Sequence, residues 1–330
     1  MEERKKDHID LELKSQADKY SRDDRFYYEP MLSPHPGIEI QEYDFLGKRM
    51  RAPIWISSMT GGTQKASFIN RNLAAAAAKY GLGMGLGSCR AILDDDKYFE
   101  DFNLRPIIGD DLPFYANLGI AQVEHLLEHK SHEKIDALLQ RLKADGLIVH
   151  VNPVQEWLQP EGDRLRRAPV DTIAEIADIA GYKIIVKEVG QGFGPESLKA
   201  IMQLPVDAVE MAAWGGTNFA ILELLRNNET AAEAYKGFAL IGHTPAEITE
   251  WLNEIFSTNV IASRKQVIVS GGIKSFLDGF YYMSKLKAPS VYGQASAFLK
   301  YAAESAESLD KYIGYQVDGL KFAIKYLKVK

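Results

Sequence analysis

The chain has 330 residues, 46% of them hydrophobic, and a formal charge of −6 at neutral pH, with a sequence pI near 5.7. That composition can build one large core, and the acidic balance excludes a nucleic-acid-binding surface while leaving room for a local basic pocket that holds a small anion. The single cysteine, Cys89, excludes an internal disulfide and suits a reducing compartment; the charged start MEERKKDHID has no signal-peptide core and no apolar run reaches the ~18 residues of a membrane span, so a soluble cytoplasmic protein is expected.

Residues 1–50 alternate charged and aromatic stretches, RKKDHI (4–9) and then KYSRDDRFYYEP (19–30). Tyr20, Phe26, Tyr27 and Tyr28 favour packing on a neighbour, so this segment reads as an ordered N-terminal arm over a main fold of residues 51–330. From Ala52 short apolar or β-branched runs recur at 53–58, 82–88, 114–119, 146–152, 184–190, 208–215, 267–272 and 290–295. Helix-like segments lie between most of them. Residues 70–80 are alanine-rich, and 121–143 have helical periodicity with a break near His129–Ser131. The segment 171–181 starts at a capping Asp171 and ends in glycine, and 195–204 and 245–256 are similar. Alternating strands and helices imply an α/β fold with a parallel sheet. Eight units closing on themselves make a (β/α)8 TIM barrel; a doubly wound sheet has the same alternation. The run 238–242 belongs to the long connection between the sixth and seventh strands rather than to a ninth strand.

In a barrel, chemistry gathers at the C-terminal strand ends. Here they read SSMTGG (57–62), GLGSCR (85–90), ANLG (116–119), HVNPVQE (150–156), KEVG (187–190), WGGTN (214–218), SGGIK (270–274) and YGQAS (292–296). Glycines there let backbone N–H groups approach a ligand, and loops after strands seven and eight are a frequent phosphate site. GLGMGLGS (81–88) lacks the spacing of a dinucleotide fingerprint. Lys187, ending a buried run, reads either as a cation facing a ligand or as a partner for Glu188 or Glu210. The stretch HVNPVQEWLQPEGD (150–163) holds more chemistry than a connecting loop needs, and Trp157–Asp163 reads as a lid.

These segments together, with RKKDHI at 4–9, HVNPVQEWLQPEGD at 150–163, VKEVG at 186–190, GGTNF at 215–219 and SGGIK at 270–274, resemble the type 2 isopentenyl-diphosphate isomerases. The resemblance spans nearly the whole chain, and the long 150–163 stretch is its most specific part. It implies a barrel that binds FMN, used reduced, with Mg²⁺, a reductant such as NADPH, a prenyl diphosphate substrate, and a homo-oligomer of tetramers or octamers. Carried over by position, the flavin would be held by Met59, Thr60, Ser88, Asn117, Lys187 and Thr217, with its phosphate on Gly271, Gly272, Gln294 and Ala295. The substrate diphosphate would meet Arg4, Lys5, Arg90, His150 and Asn152. Gln155 would face the isoprenyl unit, Glu156 would hold Mg²⁺, and Glu223, six residues after Thr217, would stand near the flavin. The chain departs from the family pattern at Cys89, at Lys274-Ser275-Phe276, in YGQAS and at Trp214.

The implied reaction moves a double bond, from isopentenyl to dimethylallyl diphosphate, by adding one proton and removing another. Gln155 does not titrate near neutrality, so it orients rather than acts alone as the acid. That leaves the reduced flavin, or Glu223 through a water, as proton carrier. Two other readings share the strand-end pattern. One is an FMN-dependent 2-hydroxy-acid oxidoreductase, which wants a His base paired with an Arg where this chain has Lys274, Gln294 and His243. The other is a non-catalytic barrel that binds a phosphorylated ligand.

Overall fold

A computed structural model describes residues 2–37, 42–58, 61–258 and 264–330. Eight strands close into a parallel barrel: β1 (Ile54–Ile56), β2 (Gly83–Gly85), β3 (Phe114–Gly119), β4 (Gly146–His150), β5 (Lys183–Lys187), β6 (Ala208–Glu210), β7 (Gln266–Val269) and β8 (Ser290–Gln294). The strands follow chain order around the ring, and β8 pairs with β1 to close it. The barrel, not the doubly wound sheet, is the fold. The polar residues that end most of the apolar runs fall beyond the strands, in the loops.

Alternate strand residues face the barrel axis. Trp55, Tyr115, Ile148, Ile185, Ala208, Ile268 and Val291 form one buried cluster there. The hairpin Tyr43–Phe45 with Lys48–Met50 plugs its lower end, adding Phe45, Leu46 and Met50. The large rings require small residues opposite. A Cβ on Gly83 would lie 2.4 Å from the Trp55 ring, and one on Gly146 would lie 2.7 Å from Tyr115. The larger outer cluster packs the other strand faces on the helices.

The helix at Gln64–Tyr80 begins earlier than the alanine pattern suggested, because Thr63 caps it by accepting from the Ala66 N–H at 3.1 Å. It stops at Gly81, whose φ of +69° is the left-handed conformation that favours glycine. The periodic stretch after β3 splits into Ile120–Glu128 and Glu133–Leu142, with Lys130 at φ +53° in the break. The next helix runs Pro169–Ile179, so Asp171 lies in its first turn rather than capping it. Proline at the first helical position, with φ already fixed, sets that earlier start. Between β6 and β7 the described residues make the helices Phe219–Arg226 and Glu229–Tyr235, a tight turn at Phe238–Leu240, and a third helix, Pro245–Thr258. Two helices unmarked in the sequence pattern, Ser296–Glu304 and Ala306–Tyr326, complete the chain's packing after β8.

Ahead of the barrel, the helix Glu2–Leu11 is exposed along its length beyond Glu2. Phe26–Tyr28 pairs antiparallel with Leu327–Val329. Phe26 stacks on Phe280 at 6.0 Å, and Arg25 bonds Asp278 at 2.8 Å. Tyr20, in contrast, is 84% exposed. Among the described residues no helix is long and apolar enough to cross a membrane.

Candidate active site

The upper inward positions of the barrel are polar. Registers place His150 beside Lys187, and Lys187 beside Glu210, on successive strands. Above β5–β8 and β1 lies a cavity of about 570 Å³, lined by Ser57, Ser58, Lys187, Glu210, the Gly215–Thr217 turn, the Ser270–Lys274 turn, and Gln294 to Ala297. Gly271 and Gly272 have φ of +82° and +70°, and a Cβ on Gly271 would fall 2.1 Å from Ala213 backbone atoms. This turn can only be glycine, and it faces the start of the helix Ser296–Glu304. Paired glycines beside a helix start make an anion cradle.

Lys187 is 6% exposed, and its Nζ donates to the Glu188 carbonyl at 2.8 Å. Among the described residues it pairs with no carboxylate, so its remaining donors are left for the cavity. Glu188 instead accepts the N–H groups of Gly190, Gln191 and Gly192 at 2.6–2.8 Å. Burial raises its pKa, opposed by those three donors.

Asn117 holds the next position. Its Nδ2 donates to the Leu86 carbonyl at 3.0 Å, which turns Oδ1 to His150 Nδ1 at 2.8 Å. His150 Nδ1 therefore carries the proton, and Nε2 is left as an acceptor. Although the residue keeps partial solvent contact, burial of the ring and the neighbouring Lys187 charge push its pKa down to about 3. His150 is thus neutral, not the charged donor that a diphosphate contact calls for.

The 150–163 stretch forms a short helix, Pro153–Leu158, and a pinned tail. Asn152 Nδ2 donates to Gln155 Oε1 at 3.1 Å and to Glu156 Oε1 at 3.0 Å. Glu156 Oε2 accepts the Asp163 N–H at 2.8 Å, and Arg164 holds the Glu156 carbonyl at 2.6 Å. Gly162 sits where a Cβ would be 2.0 Å from that same carbonyl oxygen. Gln155 Nε2 reaches Glu223 Oε1 at 3.1 Å, while Glu223 Oε2 meets Arg226 at 2.6 Å. Glu223 is 2% exposed and stands one helical turn after Phe219, a cavity-lining residue. Gln155 thus bridges the loop to the cavity rim.

Other positions singled out in the sequence have plainer settings. Ser88 caps the turn Cys89–Ile92, and Ala295 precedes the helix Ser296–Glu304. Thr217 lines the cavity. Gln294, the last residue of β8, is buried, with its Nε2 directed to the Ile273 carbonyl at 3.3 Å, so its side chain ties the strand end to the glycine turn. Arg90 pairs with Asp163 at 2.8 Å, which also accepts from Gln122. Arg4 and Lys5 lie on the exposed helix Glu2–Leu11, and among the described residues make no hydrogen bond or ion pair. Met59 and Thr60 lie outside the described residues.

The departures from the family pattern also have places. Trp214 leans on Gly242, where a Cβ would be 2.3 Å from its ring, and so leaves the cavity open. Lys274 and Ser275 donate their N–H groups to Asp278 Oδ2, starting the helix Phe276–Lys285, while the Phe276 ring covers Gly319. Cys89 is buried, which pushes its thiol up to about 12 and leaves it inert. Sequence reasoning gave Ser57, Ser58 and Ser270 no role and cast Glu210 only as a partner for Lys187. Alternation along each strand was the signal that turns all but Ser58 inward.

No protein-family model matches the chain. The isopentenyl-diphosphate delta-isomerase of Rickettsia typhi is 34% identical over 312 residues, covering 93% of this chain and 87% of the relative. The chain belongs to the type 2 isopentenyl-diphosphate delta-isomerase family. The enzymes of that name from Rickettsia felis and Rickettsia africae are each 33% identical, with the same coverage. Among solved structures, this family member is similar to the flavin-binding domain of baker's yeast flavocytochrome b2, with a TM-score of 0.62 at 12% identity over 91% of this chain and 71% of that one. A mandelate oxidase variant with a monooxide FMN adduct gives a TM-score of 0.55 at 12% identity over 93% and 88%. At those identities the likeness concerns the fold alone.

Proposed function

We propose that the protein interconverts isopentenyl and dimethylallyl diphosphate, using FMN in its reduced form, Mg²⁺ and NADPH as reductant. Family membership carries this reading. The residues fit a phosphorylated flavin, because the cavity combines a glycine cradle with buried polar atoms, Ser58 Oγ and Glu210 Oε2, that lack partners among the described residues. When bound, the reduced flavin supplies an acid/base group beside the substrate. Lys187 directs its charge at the ring's electron-rich edge, and Asn117, Ser88, Thr217, Met59 and Thr60 complete the ring contacts. Gly271, Gly272 and the backbone of Gln294 and Ala295 hold the phosphate.

The metal fit is narrower. Among the described residues no group of three His, Cys, Asp or Glu side chains could cage an ion. Glu156 alone suits Mg²⁺ shared with a diphosphate, since that ion keeps most of its shell from phosphate oxygens and water. Arg90, Asn152 and His150 would face the diphosphate, and Arg4 and Lys5 would reach it only if the Glu2–Leu11 helix is seated differently from here. The bound diphosphate would have to lift His150 from its depressed pKa for its Nε2 to donate. Gln155 orients the isoprenyl carbon chain, and Glu223, held by Gln155 and Arg226, moves a proton to or from it directly or through a water. The carboxylate's setting supports that role, since Gln155 and Arg226 fix its orientation beside the cavity.

Exposed Leu225, Leu240 and Ile241 support a homo-oligomer, a tetramer or octamer. The substrate class, the absence of nucleic-acid or membrane partners and a cytoplasmic location belong to the same reading. To test it, the flavin-loaded protein is incubated with isopentenyl diphosphate in deuterated water. Deuterium should enter both recovered substrate and product; a barrel that only binds the diphosphate would exchange none.

A further inference from the structure

Glu210 ends β6 and has no exposed surface. Its Oε1 accepts from Ser57 Oγ at 2.6 Å, while its Oε2 is buried and has no partner among the described residues. A buried carboxylate oxygen without a donor is costly, and native chains rarely keep one unless something absent from the bare protein supplies the donor. Its position says what that is. Around the rim, Glu210 stands between Lys187 in register on β5 and, on β7, Ile268 in register with Ser270 to Gly272 beyond it. In the proposed site the glycine turn would take the phosphate and Lys187 would face the ring, since both line the same cavity. A ligand stretched between them lays its connecting segment over Glu210.

We propose that Glu210 accepts a hydrogen bond from a hydroxyl of the polyol segment joining phosphate to ring in the bound cofactor. Oε2 takes the O–H, and Ser57 positions the carboxylate through Oε1. This rests on reading the cavity as an FMN site. The unpartnered oxygen makes Glu210 a ligand-binding residue kept at the expense of the empty protein's stability. That trade separates it from a structural carboxylate, whose loss would weaken the fold.

The test titrates the apoprotein with FMN and with a flavin phosphate whose linker is a plain pentyl chain, and melts the apoprotein. The wild type should bind FMN about tenfold or more tightly than the pentyl analogue, the scale of a hydrogen bond to a charged group. Glu210→Gln should lose about tenfold on FMN and little on the analogue, and its apoprotein should melt at the same or a higher temperature. Ser57→Ala, which keeps the carboxylate, should show the same selectivity loss at a few-fold scale. Glu210→Gln binding FMN as the wild type does, weakening both flavins equally, or melting lower as apoprotein would overturn the proposal. So would a Ser57→Ala protein with unchanged selectivity. If the wild type binds neither flavin, the cofactor reading itself falls and takes this one with it.

Discussion

The two halves of the barrel's upper face treat their polar groups in opposite ways. Over β5–β8 the cavity is lined by glycine turns, and among the described residues Ser58 Oγ and Glu210 Oε2 there have no partner. Beyond β4, the 150–163 stretch satisfies nearly all of itself, with Glu156, Gln155, Asp163 and Glu223 each bonded to protein partners. Asn152 Oδ1 is the exception. The first half is built around something the bare chain does not supply. The second is preorganised, and in the proposed function it would exchange internal bonds for substrate bonds. One half suits a resident group, the other a ligand that comes and goes.

The largest effect should come from the residue that joins the halves. Glu223→Gln should lower kcat by about 10²- to 10⁴-fold, the usual weight of a positioned acid or base, with flavin absorbance unchanged. Undiminished turnover would remove Glu223 from the proton path. Next, Glu156→Gln should raise the Mg²⁺ concentration needed for half-activity by about 10- to 100-fold, again without loss of flavin. An unaltered metal response would move the ion elsewhere.

His150 offers a smaller and wholly structural test. Its pKa is depressed from 6.5 to about 3 in the fold. The unfolded chain therefore binds the extra proton between those values, so this group makes stability rise with pH across that window and fall away below 6.5. At pH 5.5 the penalty is about 1 kcal/mol. Denaturant melts of the apoprotein and of His150→Gln should show the variant losing less stability between pH 7 and 5.5; equal slopes would mean that the ring titrates normally. Smallest of all, Asp163→Asn should release Arg90 for the diphosphate and lower KM by roughly twofold to fivefold, since their pair is exposed and weak. A rise in KM would show that Asp163 instead holds Arg90 in a productive place.

Much of the fold and of the site is legible in the amino-acid sequence. Glycine-rich strand ends in series mark the barrel, and the polar 150–163 stretch marks the candidate substrate side proposed above, because both signals are local. What the sequence hides depends on distant contacts. Trp214 cannot be seen to lean on Gly242, nor Phe276 to cover Gly319, because glycines far along the chain make the room. Alternation turns Glu210 inward, but its place beside Lys187 needs the strand register. The neutral state of His150 follows from Asn117, thirty-three residues away, being turned by the Leu86 carbonyl. Arg4 and Lys5 show the reverse case. Their motif is legible, but a helix with no apolar stripe has nothing to dock it on the barrel.

The central claim is that the bound flavin serves proton transfer and is not consumed. It is tested most directly by counting dimethylallyl diphosphate formed per NADPH oxidised, in protein loaded with FMN, Mg²⁺ and isopentenyl diphosphate without oxygen. Many product molecules for each NADPH, after one initial reduction of the flavin, is the predicted result. No product from fully reduced protein, or a flavin that a 2-hydroxy acid reduces while isopentenyl diphosphate stays unchanged, would contradict it.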